Sequence, residues 1–279
     1  MPEGDTIFRT AEVLRAALAG KTVAAVRSPL PHLAGAGLAG RRVTAVEPRG
    51  KHLLVRFDDG RVLHSHMRMT GSWHVYRPGE PWRKPAARAR VVLETAGGAD
   101  AEPLVAVCFD APVVELLSAA GARRHRALAS LGEDLLADDF DPEAARRALR
   151  HLGELPVGEA VMVQQAIAGV GNIYKSETLF LCRVDPFAPV GSLSDEDLDR
   201  IIAKARSLLV ANRRGYPRRT VPRGRGPGRL WVYGRSGEPC AICGTAIRMR
   251  RQGAAGRSTY WCPACQPPAV PTGERRATT

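Results

Sequence analysis

The chain predicts an α+β protein of several domains: a leading helix with a β-sandwich, then a helical domain, then a small cysteine-held unit. Three observations carry that reading. Short runs rich in β-branched residues, broken by Gly, Pro and Asp-Gly turns, fill residues 21–118. From about residue 120 the apolar spacing becomes helical. Near the end, two Cys-x-x-Cys pairs stand eighteen residues apart.

The leading helix is TIFRTAEVLRAAL at 6–18, with apolar side chains at 7, 11, 14, 17 and 18 and Thr6 as its expected cap. The strand runs are KTVAAVRS, RRVTAVEP, HLLVRF, RVLHSHM, ARVVLET and LVAVCF, and Asp-Asp-Gly at 58–60 predicts a hairpin between two of them. Several short strands behind one helix predict a sandwich or barrel-like domain over 1–120. Segments 142–152, 157–168, 172–182 and 194–212 predict helices, the last opened by the acidic start Ser-Asp-Glu-Asp. They make a second, all-α domain over 121–235. Its final stretch, 213–235, holds eight Arg and no acid among Gly and Pro, the composition of a mobile basic loop. A compact unit at 236–266 and a disordered tail at 267–279 complete the chain.

Composition narrows the class. With 279 residues, 44% hydrophobic and 25% charged, the chain has ample length for a buried core. No apolar run nears the ~20 residues of a membrane span. The opening MPEGDTIFRT carries acids where a secretory leader carries basic residues. A cytoplasmic, monomeric protein with no membrane partner is expected. The net charge is +13, and 36 of the 41 basic residues are Arg. Such an excess points to a polyanionic partner, without by itself distinguishing DNA from RNA or an acidic membrane.

Cys240-x-x-Cys243 and Cys262-x-x-Cys265 have the spacing of a four-thiolate zinc ribbon. Each pair turns two sulfurs inward, and RMRRQGAAGRSTYW between them predicts a hairpin around a turn at 253–256. A unit of ~30 residues has too small a core to fold unaided, so one structural Zn2+ is expected, with no ligand position left for catalysis. Cys108 and Cys182 lie in apolar stretches and read as buried thiols.

The start of the chain offers a different chemistry. With Met1 removed, Pro2 carries a secondary α-amine of ordinary pKa ~8, able to attack an aldehyde-level carbon and form a cationic iminium. Glu3 beside it could move protons. Alone, Pro-Glu marks only a chain start.

Six motifs in one order add to this: MPEGDT, RGKHLL at 49–54, HMRMTGSW at 66–73, LGEDLL at 131–136, AGVGNIYKSETLF at 168–180, and VYGRSGEPC with STYWCPACQ at the end. Together they resemble the formamidopyrimidine-DNA glycosylase / endonuclease VIII family of base-excision repair. The resemblance implies a β-sandwich catalytic domain, a helix–two-turn–helix DNA-binding domain, a zinc finger, and damaged duplex DNA as partner, in a nucleoid-associated setting. It implies that Pro2 attacks C1′ and expels the base, that Glu3 donates and accepts protons in ring opening and elimination, and that Lys51 lies near the phosphate and reacting sugar. It further implies phosphate contacts at Asn172 and Arg257. Arg68, Met69 and Thr70 match the loop that enters the duplex when a nucleotide is flipped out, where an apolar wedge fills the hole.

Several departures lean toward the endonuclease VIII branch, which acts mainly on oxidised pyrimidines. Asp5-Thr6 follows PEG, CFDAPVVELLS lacks the purine branch's orphan-base motif, and 213–229 has no match to that branch's base-closing loop. Val163 stands where many relatives carry Asp, with Gln164 retained, and Asp134 fits the pattern as either a helix-start or a catalytic group. The expectation is a bifunctional DNA glycosylase / AP lyase acting by β- or β,δ-elimination. Against it stand an oxidised-purine glycosylase, a damage-binding protein that has lost turnover, and an RNA-binding zinc-ribbon protein.

Overall fold

Strands β1 (Val23–Arg27), β6 (Ala89–Thr95), β7 (Val105–Phe109) and β5 (Ser72–Tyr76) hydrogen-bond in that order into one antiparallel sheet. A second antiparallel sheet orders β2 (Val43–Arg49), β3 (His52–Phe57), β4 (Val62–His66) and β8 (Val113–Leu117). The computed structural model describes residues 2–97, 102–224, 226 and 228–268. Of the tail expected to be disordered, residues 269–279 lie outside the described residues, as do Met1 and Arg225.

The chain forms two compact units, Met1–Ser130 and Leu131–Thr279. In the first, alternation sends one face of each sheet inward: Val23, Val91, Leu93, Ala106 and Cys108 meet Val43, Val46, Leu53, Val55 and Val114 in one core. Helix α1 (Gly4–Leu18) adds Ile7, Ala11, Leu14 and Leu18 to the same core. The helix starts two residues before the expected Thr6, with Glu3 at the N-cap, whose carbonyl accepts from the Thr6 and Ile7 amides. The hairpin expected at 58–60 joins β3 to β4. Strands β5 and β8 were absent from the sequence reading: SWHVY mixes polar with aromatic residues, and VVELL is a single short run behind Pro112 with no turn signal after it.

The domain boundary expected at 120 differs from the boundary between units. Helices α2 (Ala119–Arg124) and α3 (Arg126–Ala129) look like the start of the helical region, but they belong to the first unit. Leu128 covers Leu54 and Val62 on the outer face of the second sheet, which would otherwise expose those side chains to water.

The second unit is built on α4 (Pro142–Arg150), α5 (Val157–Ala160), α6 (Asn172–Cys182) and α7 (Asp195–Asn212). Asp141 caps α4, and Ser194 with Asp197 closes a capping box on α7. The helix expected over 157–168 stops at Ala160. The Gln164 side chain donates to the Met162 and Val170 carbonyls and accepts from the Gly169 amide, holding a turn in place of a helix. The unit is also not purely helical: β9 (Glu133–Asp134) and β10 (Ile167–Ala168) pair in parallel, and β11 (Arg248–Gln252) and β12 (Arg257–Trp261) form the hairpin expected between the cysteine pairs.

Candidate active site and nucleic-acid interface

In the first unit, α1 begins immediately behind Pro2 and Glu3. Pro2 is half-buried and Glu3 fully buried. Lys51 sits, half-buried, on the turn between β2 and β3. Burial, followed by the charges of Lys51 and Arg68, pushes the His66 imidazole down to about 4. It is therefore neutral at neutral pH, and its Nδ1 accepts from the Arg68 backbone amide at 3.1 Å. Lys51, His66 and Arg68 thus share one neighbourhood.

The 67–71 turn between β4 and β5 is tightly specified. A Cβ on Gly71 would stand 2.7–2.9 Å from backbone atoms of Met67 and Ala111, so only glycine fits. Arg68 takes a positive φ of 45°, and the Thr70 hydroxyl donates to the Asp110 carbonyl at 3.0 Å. The two methionines of the turn divide. Met67 is buried in the core, while Met69 is 63% exposed, unlike a core methionine.

The partner of this turn was not foreseen. Asp110, at a positive φ of 55°, bonds Lys84 at 2.9 Å and Arg88 at 2.7 Å, and these cations hold its carboxyl below the usual carboxylate range. Cys108 and Phe109 before it are fully buried, so neither is presented to a duplex. Burial also raises the Cys108 thiol and, more moderately, that of Cys182 to about 11. Cys182 is only half-buried, contrary to expectation, because it ends α6 beside the exposed Arg200.

In the second unit, Gly169 (φ 103°), Val170 and Gly171 turn the chain into α6, which Asn172 opens. The Asn172 amide is already engaged. Its Nδ2 donates to the Ser258 carbonyl at 2.8 Å and hydroxyl at 3.1 Å, while its Oδ1 is buried without a hydrogen-bond partner. Lys175, also buried, donates to the Ser258 carbonyl at 3.2 Å and the Thr259 hydroxyl at 2.7 Å. These bonds join α6 to β12, whose first residue is the exposed Arg257. Asn172 and Arg257 are therefore brought to one place. Lys175 and Ser258, which do the joining, were not singled out from the sequence, where a lysine on a helix reads as solvated. Arg248, Arg250 and Arg251 are exposed, as expected, and Arg250 lies over the Phe187 ring.

The basic stretch 213–235, expected as a mobile loop, is anchored at two places among its described residues, 219–220 and 231–233. Glu177 of α6 is fully buried and accepts from the Trp231, Val232 and Tyr233 amides at 2.7–2.9 Å, and from the Thr220 hydroxyl. Asn212 and the Arg219 backbone bond each other in both directions. No clear signal of this stood in the sequence, because Glu177 sits among Lys175, Ser176 and Thr178 on a helix whose polar residues read as a solvated face. Asp134 caps a local turn, its Oδ1 accepting from the Leu136 amide at 3.0 Å. Val163 packs at the edge of the apolar core, where a carboxylate would be desolvated.

The four cysteines converge. Their Sγ separations are 3.4 Å (Cys243–Cys262 and Cys243–Cys265) and 3.9 Å (Cys240–Cys265). A tetrahedron with Zn–S bonds of about 2.3 Å has edges of about 3.8 Å, so the set fits a structural zinc ion and is far from disulfide bonding. Hydrogen bonds from the Thr245 side chain and backbone, helped by the neighbouring thiols, pull Cys243 down to about 6, toward the thiolate that binds metal.

Three family models match the chain: the formamidopyrimidine-DNA glycosylase N-terminal domain over residues 1–104, the formamidopyrimidine-DNA glycosylase H2TH domain over 131–214, and the zinc finger found in FPG and IleRS over 237–268. The chain belongs to the formamidopyrimidine-DNA glycosylase / endonuclease VIII family of DNA glycosylases and abasic-site lyases. Within it, the chain stands closer to the endonuclease VIII branch. It is 44% identical to the probable endonuclease 8 2 of Streptomyces coelicolor, over 97% of this chain and 96% of that one. It is 41% identical to the DNA-(apurinic or apyrimidinic site) lyase Nei2 of Mycolicibacterium smegmatis, over 95% and 99%. Among solved structures, the MutM (Fpg) protein of Thermus thermophilus superposes with a TM-score of 0.75 at 30% identity, covering 95% and 98% of the two chains. The Lactococcus lactis Fpg in complex with abasic-site DNA shares the fold, with a TM-score of 0.78 at 23% identity over 95% and 99%. Among the described residues, no helix is long and apolar enough to cross a membrane.

Proposed function

We propose that this chain is a monomeric, nucleoid-associated enzyme that removes oxidised bases, pyrimidines in preference, from duplex DNA and then nicks the strand at the abasic site. With Met1 removed, the Pro2 nitrogen attacks C1′ and the bond from C1′ to the base breaks, the base leaving with a proton. A secondary amine that adds to C1′ has no N–H left to lose, so ring opening gives a permanently cationic iminium. That cation draws electrons from the C2′–H bond, and loss of the C2′ proton expels the 3′ phosphate; a second elimination can expel the 5′ phosphate. Glu3 donates to the ring oxygen and takes up the C2′ proton, in a buried setting that keeps it apart from bulk water.

The remaining residues bind and orient. Lys51 holds the phosphate beside the reacting sugar, and Met69 fills the space left by the flipped nucleotide, with Arg68 and Thr70 shaping its turn. Arg257 and the 169–172 turn grip the flanking phosphates. Because the Asn172 amide already bonds Ser258, its larger contribution is to hold β12, and so Arg257, at the helix start. One zinc ion on Cys240, Cys243, Cys262 and Cys265 supports that hairpin and takes no part in the chemistry. The observation that carries the reading is a fully buried Glu3 between Pro2 and a helix that begins at the next residue, in a chain whose relatives are named endonuclease 8 and abasic-site lyase.

Borohydride trapping tests it, with duplexes carrying an oxidised pyrimidine, an oxidised purine or a plain abasic site, and mass spectrometry of the adduct. The expected result is a crosslink on the peptide beginning at Pro2, strongest with the oxidised pyrimidine. Absence of any crosslink from folded, zinc-loaded protein lacking Met1 would overturn the mechanism in favour of a damage-binding protein. A strongest crosslink with the oxidised purine would overturn the substrate preference alone.

A further inference from the structure

On the outer face of the second sheet, His64 of β4 stands directly opposite Glu115 of β8, and His125, between α2 and α3, closes over the pair. Neither the proposed chemistry nor the four-cysteine cluster uses these residues. One ring nitrogen from each histidine and a carboxylate oxygen lie within 4.8 Å of one another. We propose that His64, Glu115 and His125 form a second metal site, taking a zinc-class divalent cation with water as the fourth ligand.

The His64–Glu115 separation favours a shared cation over a direct hydrogen bond. His64 Nδ1 lies 3.5 Å from Glu115 Oε2, beyond the usual 2.7–3.2 Å of an N–H···O bond, and has no hydrogen-bond partner although buried. His125 Nε2 lies 3.1 Å from the same oxygen. Nitrogen and oxygen ligands at about 2.0–2.2 Å from a tetrahedral ion stand about 3.3–3.6 Å apart, close to both values. The His64 ring is also oriented as a ligand should be, with Nε2 2.8 Å from His52 Nδ1. In the tautomer that carries its proton on Nε2 and donates it to His52, the His64 Nδ1 lone pair faces a carboxylate. Two acceptors then face each other, and a cation between them resolves the conflict. His125 Nδ1 makes no competing hydrogen bond, so that ring's tautomer is set by what it meets at Glu115.

The donor set chooses the ion class. Two imidazoles and one carboxylate suit zinc, cobalt or nickel, whereas magnesium and calcium take oxygen ligands. Glu115 and His125 side chains are 40% and 22% exposed, which gives the ion a path in and leaves a side open to water. A bound ion would fasten the 118–130 segment to the sheet through a coordinate bond. It would also load the His52 ring, next in sequence to Lys51.

Metal stoichiometry tests the site in the full chain. Protein saturated with zinc and passed through gel filtration is expected to carry two zinc ions, and His125→Ala or Glu115→Gln one. Both substitutions sit on exposed or half-exposed side chains, and circular dichroism checks that the variants fold. With cobalt, the cysteine site gives an intense thiolate charge-transfer band, while the second equivalent should add only visible ligand-field absorption. That second equivalent should bind at least about tenfold more weakly in either variant. A single metal per parent chain, or a second equivalent unchanged by both substitutions, would overturn the assignment.

Discussion

Replacing Glu177 with alanine should release the basic stretch 213–235 while leaving the helical core in place. The parent carboxylate accepts three backbone amides and one hydroxyl, all from 220–233. Bonds to a charged acceptor contribute about 1.5–3 kcal/mol each, so a simple sum is about 6–12 kcal/mol. That sum is an upper bound, because the freed amides become hydrated once the segment lifts. Taking about 1 kcal/mol for each bond after hydration, the opening equilibrium shifts by about 4 kcal/mol, roughly a thousandfold at 1.4 kcal/mol per decade. The eight arginines of 213–235 make trypsin the natural probe. When closing is fast, cleavage follows the open population, so digestion there should accelerate by two to three decades with other sites unchanged (on the order of 10² to 10³). Glu177→Gln should fall between, since its amide keeps one acceptor oxygen and turns a donor toward the remaining donors. Parent-like cleavage of 213–235 in folded Glu177→Ala protein would refute the anchoring role.

Further outcomes follow from the same geometry. Arg257→Ala should weaken DNA binding and lower the slope of log K against log salt by about one, measured by anisotropy over a salt series; an unchanged slope would show that Arg257 touches no phosphate. Met69→Ala should change thermal stability by no more than about 0.5 kcal/mol, because the side chain is exposed, yet slow turnover on duplex more than on single-stranded substrate. Equal slowing on both substrates would rule out a wedge. Cys262→Ser should release zinc, loosen the β11–β12 hairpin and abolish DNA binding, since β12 carries Arg257 and the partners of Asn172 and Lys175. Metal analysis with near-ultraviolet circular dichroism would check this, and a zinc-free variant with parent-like binding would contradict it.

How legible each feature was depended on how local its cause is. The four cysteines, the MPEGDT start and the run of six ordered motifs were visible because ligand spacing and motif order survive in one dimension. Helix α6 and six of the strands were visible for the same reason, their periodicity lying within ten or so residues. What stayed hidden depends on distant partners. Gln164 ended a helix expected to continue, because its bonds to Met162, Gly169 and Val170 outweigh the local apolar pattern. Residues 119–129 joined the first unit, because the sheet's outer face needed Leu128.

By itself, the chain's order of residues determined the family, the candidate metal ligands and the candidate nucleophile, all of which rest on residue type and spacing. Only the tertiary structure decided that Glu177 restrains the basic stretch, that Asn172 and Lys175 hold the hairpin of Arg257, and that Met69 faces outward while Met67 is core. It alone brought His64, Glu115 and His125 together from three separate segments. A buried charge declares its role only through the donors that surround it, and those donors come from chain segments that folding, not sequence proximity, sets side by side.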